Sequence, residues 1–137
     1  MESLKVKDYM IYQPVTFKPE TLLAQAATKL LDAKQLGAPV IDNKKQLLGF
    51  ISEQDCMMIM LKGTYHCDMM MPVSDCMRKD VLSVGLHDSV FAIAESMTGQ
   101  KPKVLPVVDD DKVIGIITRS EILTAICTHL NTKDNPL

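Results

Sequence analysis

Apolar residues in this chain form two kinds of run, and each kind occurs twice. Leu22, Leu23, Ala26, Ala27, Leu30 and Leu31 recur as one stripe of a 3.6-residue period, behind Pro19-Glu20-Thr21, and predict a helix. Val90, Ile93, Ala94 and Met97 carry a second stripe, with Asp88 or Ser89 placed to cap it. Each stripe is followed by two short apolar runs, Ala38 to Ile41 with Leu47 to Ile51, and Val104 to Val108 with Lys112 to Ile117. The runs are nearly continuous rather than alternating, so the strands they predict are covered on both faces. The polar turn inside each pair predicts a hairpin. A short strand is expected at Val15-Thr16-Phe17, before the first helix, and its counterpart at Leu82-Ser83-Val84. Helices over 52–61 and 118–130 complete the two units, and 131–137 reads as a frayed tail.

The units are copies of one another. Asp8-Tyr9-Met10 aligns with Asp75-Cys76-Met77, and Ala38-Pro39-Val40 with Leu105-Pro106-Val107, both at an offset of 67. One extra residue in the first polar turn, Asp42 to Gln46 against Asp109 to Lys112, drops the offset to 66. Leu48-Gly49-Phe50-Ile51-Ser52-Glu53-Gln54-Asp55 then matches Ile114-Gly115-Ile116-Ile117-Thr118-Arg119-Ser120-Glu121, a buried strand running into a helix start. A length change confined to a turn is what structural duplication leaves. Units of about 60 residues are marginal alone. We therefore expect one α/β (α+β) module: repeat 1 with its N-terminal segment over 1–66, repeat 2 with its connector over 67–130, and one shared core.

Composition narrows the function. A formal charge of -2 argues against nucleic acid or an anionic membrane as the main partner, although local basic clusters could hold a small anion. Residues 1–8 contain no apolar run, and no stretch approaches 18 uncharged apolar residues, so neither a signal peptide nor a membrane span is expected. Cys56, Cys67, Cys76 and Cys127 lack a close spacing and form no disulfide framework, which fits a reduced, cytoplasmic protein.

Ser52/Asp55 and Thr118/Glu121 have two readings. A Ser or Thr three residues before an acid is a capping box, each side chain satisfying a helix N-terminal amide. The same helix start favours a phosphate, and a carboxylate one turn in could accept hydrogen bonds from a ribose diol. Asp55 would repel a phosphate held too close, so a ligand would turn its phosphate to the hydroxyl and its sugar to the acid. Arg78, Lys79, Lys101, Lys103 and Arg119 read first as solvated surface, but Lys103 and Arg119 flank the second copy's site, where an anion could use them. His66, Cys67 and Met69 to Met71 invite a metal, yet no zinc spacing accompanies them, and no metal is expected. No nucleophile elbow, zincin motif or glycine-rich phosphate loop is present, so an enzyme is not expected.

Taken together, Asp-x-Met, apolar-Pro-Val and Gly-apolar-apolar-Ser/Thr-x-x-acid, each present twice, resemble the cystathionine-beta-synthase (CBS) domain pair, or Bateman module. The resemblance covers about residues 4–129. It implies two β-α-β-β-α units packed sheet to sheet with pseudo-two-fold symmetry, and a module that pairs again into a homodimer. It also implies a regulatory module that binds an adenosine compound (AMP, ADP, ATP or S-adenosylmethionine) as a regulatory ligand, with no required cofactor. Ser52 and Thr118 would meet phosphate, and Asp55 and Glu121 ribose. Surface around Val15-Thr16, Ala38-Pro39, Leu82-Ser83 and Leu105-Pro106 would enclose the base. Two departures rank the sites: Glu121 stands where Asp is commoner, and Gly37 has Val104 as its partner, so the Asp55 site comes first and Arg119 keeps the other open. With only a short tail after the last helix, any regulation is expected to act through a separate effector protein or through oligomer change. The alternative is a ligand-free interaction module using the faces of Met57, Met58, Met60, Ile122 and Ile126.

Overall fold

The computed structural model describes residues 4–62, 70–99 and 102–134. In chain order the elements are β1 (Ile11–Tyr12), α1 (Leu23–Ala33), β2 (Gly37–Ile41), β3 (Leu47–Ser52), α2 (Glu53–Lys62), α3 (Val90–Ser96), β4 (Val104–Asp109), β5 (Lys112–Thr118) and α4 (Arg119–Asp134). The fold is α+β. β2 and β3 form one antiparallel hairpin sheet, and β1, β5 and β4 form the other. β2 lies against β4 and β5, so the two sheets meet, and every residue of β2 is buried, as its unbroken apolar run requires.

The hairpin turns explain the change of offset. Between Asp109 and Lys112, which pair directly, Asp110 and Asp111 both take positive φ, 51° and 62°, the pattern of a two-residue turn matched to strand twist. The first hairpin uses a longer loop, in which the Asp42 Oδ1 accepts from the N–H groups of Lys44 and Gln46.

The expected single core is instead two clusters, one per repeat, and each borrows a segment from the other repeat. The first contains Phe17, Leu23, Leu30 and Ile51 together with Val73, with Cys76 and Met77 packed against it. The second contains Val90, Ile93, Leu105 and Ile117 together with Val6 and Met10. The backbone exchange is reciprocal: Ile11 pairs with Ile116, while Arg78, its repeat counterpart, pairs with Phe50. Lys5 likewise bridges to Ser89, and Pro72 to Leu22. The Asp-x-Met segments are therefore crossing straps that bind the halves into one body.

Several expectations change. Val15-Thr16-Phe17 is no strand; Phe17 alone makes a parallel bridge to Val40, as Val84 does to Val107. Pro14 and Pro19 flank the segment and cannot donate to a ladder. β1 was unanticipated, because its two residues are exposed and its pairing partner lies over 100 positions away. Leu31 is 67% exposed, so the α1 stripe narrows to Leu23, Ala26 and Leu30. α4 runs on past residue 130 to Asp134, since no Gly or Pro interrupts it before Pro136. Ile122 is 4% exposed and belongs to the core, not to a contact face. Gly63, His66, Cys67 and Met69 lie outside the described residues, among which no cluster suited to a metal ion occurs.

Candidate functional site

β3 delivers its chain end into α2 at Ser52, and the junction is locked by local hydrogen bonds. Asp55 N–H donates to Ser52 Oγ at 3.0 Å, and Ser52 N–H donates to Asp55 Oδ2 at 3.2 Å. This is a closed capping box. Glu53 N–H donates to the Leu36 carbonyl at 2.8 Å, which ties the helix start to the end of the α1–β2 connection. The second copy is looser: Thr118 N–H donates to Glu121 Oε1 at 2.8 Å, but Thr118 Oγ1 accepts from Ser120 rather than from residue 121.

Arg78, carried in by the crossing strap, completes the first site. Its Nη2 and Nε donate to Asp55 Oδ1 and Oδ2 at 3.0 and 3.3 Å, a two-pronged pair. The Asp55 side chain is 15% exposed and that of Arg78 is 67% exposed. The carboxylate is thus fixed, while the guanidinium hangs at the solvent edge. The repeat counterpart of Arg78 is Ile11, which cannot make this pair.

Beside this pair opens a cleft of about 960 Å³. Ser52, Asp55 and Phe50 line it from the first repeat, and Leu82, Val104 and Leu105 from the second. Three cations, Arg78, Lys103 and Arg119, and three acids, Glu53, Asp55 and Asp80, stand around it. Arg119 Nη2 also donates to the carbonyls of Met97 and Gly99 at 3.4 and 3.3 Å, which anchors it at the rim.

Of the residues picked from the sequence, Ser52, Asp55, Leu82, Lys103, Leu105 and Arg119 meet at this cleft. Lys103 and Arg119, expected beside Thr118, therefore face Asp55 as well. Val15, Thr16, Ala38, Pro39, Pro106, Thr118 and Glu121 do not line it, and Ser83 lines a separate shallow groove with Leu47 and Asp111. Sequence reasoning missed Phe50, Arg78, Asp80 and Pro102. For Phe50 a signal existed: Gly37 pairs across the hairpin near it, and a Cβ there would sit 2.6 Å from the Phe50 ring. A side chain at 37 would push that ring aside.

Beneath the site lie two thiols. Cys56 is buried in the first core, and its pKa is pushed up to about 11, mainly by burial and further by Cys76 and Asp55. Cys76 is raised in the same direction, again mainly by burial. Both stay protonated at neutral pH and act as small apolar groups.

Comparison with known proteins bears on this geometry. The CBS domain family model matches residues 6–62 and 73–128, more than half of the chain. The structure is similar to that of a Vibrio cholerae protein proposed to act in acetoin utilization (AcuB), 28% identical over 97% of each chain with a TM-score of 0.84. It is also similar to CBSX2 of Arabidopsis thaliana. The structure of CBSX2 in complex with AMP matches with 30% identity over 92% of this chain and 98% of that one, at a TM-score of 0.79. An A-adding tRNA nucleotidyltransferase of Aquifex aeolicus is 29% identical over 90% of this chain. The chain spans 14% of that enzyme and 40% of a Methanocaldococcus jannaschii relative that is 32% identical over 90% of this chain.

Proposed function

The chain belongs to the CBS domain family, and from that premise we propose that it is a non-catalytic regulatory module that binds an adenosine compound and acts on a separate partner protein. AMP, ADP, ATP and S-adenosylmethionine are the candidate ligands. The observation that carries this is the Asp55–Arg78 pair set beside Ser52 on a cleft of about 960 Å³, a volume in the range of small-molecule sites. A similar protein, CBSX2, is described in complex with AMP, which supports the ligand class.

The capping box does not compete with this role. Ser52 Oγ spends an acceptor position on Asp55 N–H, so its own O–H stays available to donate to a phosphate oxygen. Asp55 already accepts three hydrogen bonds, from Ser52 and twice from Arg78, so a ribose diol needs Arg78 to let go. Being exposed, Arg78 can swing at little cost from the carboxylate to the phosphate, a partner its fork fits equally well. Lys103 and Arg119 add charge from the facing unit, and Leu82 and Leu105 supply apolar surface for the base. Arg78 sits on a crossing strap whose backbone pairs with Phe50 of β3.

The exposed apolar side chains Met57, Met58 and Leu61 on α2 and Leu123 on α4 supply a surface for a homodimer or an effector protein, in the cytoplasm. A ligand-free scaffold would use the same surface and would leave the cleft empty.

Two results test the proposal. Mass spectrometry of small molecules released by heat from the purified protein should show one of the four adenosine compounds. Arg78→Ala should weaken AMP by about tenfold, the worth of one charge-assisted hydrogen bond, and leave adenosine no weaker, since it loses a competitor for Asp55 and no phosphate contact. Equal losses for both ligands would remove Arg78 from phosphate recognition.

A further inference from the structure

The two halves correspond residue by residue, yet the cleft is one-sided. Leu82, Pro102 and Val104 line it, together with Ser52 and Asp55. Their counterparts under the repeat are Val15, Gln35 and Gly37, together with Thr118 and Glu121, and none of these lines it. At the counterpart position a side chain already occupies the backbone. Gln35 Oε1 accepts from the Val15 N–H at 3.1 Å. Gln35 Nε2 donates to the Val15 carbonyl and to the Gly37 carbonyl, both at 2.9 Å. One planar carboxamide thus satisfies both polar groups of a single residue.

In the open cleft the arrangement is vacant by chemistry. Residue 102 is proline, with no side-chain polar group, and the N–H and C=O of Leu82 have no hydrogen-bond partner among the described residues. Gln35 is also held ready. Lys34 turns into the left-handed region at φ 54°, and Gln35 N–H donates to the Leu30 carbonyl at 3.0 Å. That closure of the α1 C-terminus fixes the Gln35 backbone, so little freedom is lost in placing its side chain.

We infer that Gln35 is a built-in occupant of the second site. Its carboxamide holds the backbone donor and acceptor that the open cleft leaves to a ligand, so the protein takes one adenosine compound per chain instead of two. A ligand entering the second site would have to break three hydrogen bonds to part-buried groups before making its own, with no net gain. The ligand class rests on the function proposed above; the blockade rests on Gln35 alone.

Calorimetric titration of the full chain with AMP, ATP and S-adenosylmethionine separates the two. Wild type should bind one equivalent per chain. Gln35→Ala should bind two, with faster hydrogen exchange at the Val15 amide. Gln35→Ser, whose hydroxyl can still reach one backbone group through water, serves if the alanine variant does not fold. Two equivalents in wild type, or one in a folded variant, would overturn the inference and leave the function standing. No binding in wild type but one equivalent in the variant would uphold the blockade and sink the Asp55 site. No binding in either protein would remove both.

Discussion

Asp55→Ala is expected to weaken AMP, ATP or S-adenosylmethionine by about 100-fold. The carboxylate offers two oxygens to a ribose diol, and hydrogen bonds to a charged group contribute about 1.5–3 kcal/mol each. Stability should fall by only about 1 kcal/mol, from the lost cap. Arg78 is left without its partner, but it is exposed, so no buried charge is stranded. The disparity between the two effects is the diagnostic. A ligand-free scaffold would show the stability loss and no change in binding. Equilibrium titration beside a thermal melt of the same samples reads both.

Gly115→Ala should be the most damaging single-methyl change, at about 1–3 kcal/mol or more. A Cβ there would run into the Ile11 carbonyl oxygen and the Met10 side chain. Met10 can shift; the Ile11 carbonyl cannot, because Ile11 and Tyr12 are paired to β5 as part of the sheet. The melting temperature should drop by about 3–10 °C. Gly49 faces the same restriction in the other half, where a Cβ would lie 2.7 Å from the Arg78 carbonyl oxygen. Since neither glycine takes a positive φ, the cause is close approach and not backbone freedom. An alanine at 115 that left the melt unchanged would mean the strap moves without cost.

These glycines mark how far the sequence could be read. Their recurrence inside matched apolar runs was plain, and the hairpins, the four main helices and the doubled architecture followed from period and offset. What presses on each glycine is not visible, because the strap carbonyls arrive from 29 and 104 positions away with no local pattern to announce them. Arg78 reads as surface for the same reason: its bond to Asp55 spans 23 residues. Gln35 carries no signal of its own, since a glutamine just past a helix end gives no hint that its amide will close on backbone 20 residues earlier. Ser52 and Asp55 were legible as a cap, and the structure keeps them as one. Only the strap and the facing unit turn that cap into the wall of a cleft.

The central claim is that this cleft binds an adenosine compound, and calorimetric titration of the wild-type chain tests it most directly. AMP, ADP, ATP and S-adenosylmethionine, each taken to millimolar concentration, should include at least one that saturates the protein, and Asp55→Ala should weaken that ligand by about 100-fold. No saturable binding by any of the four would contradict the claim.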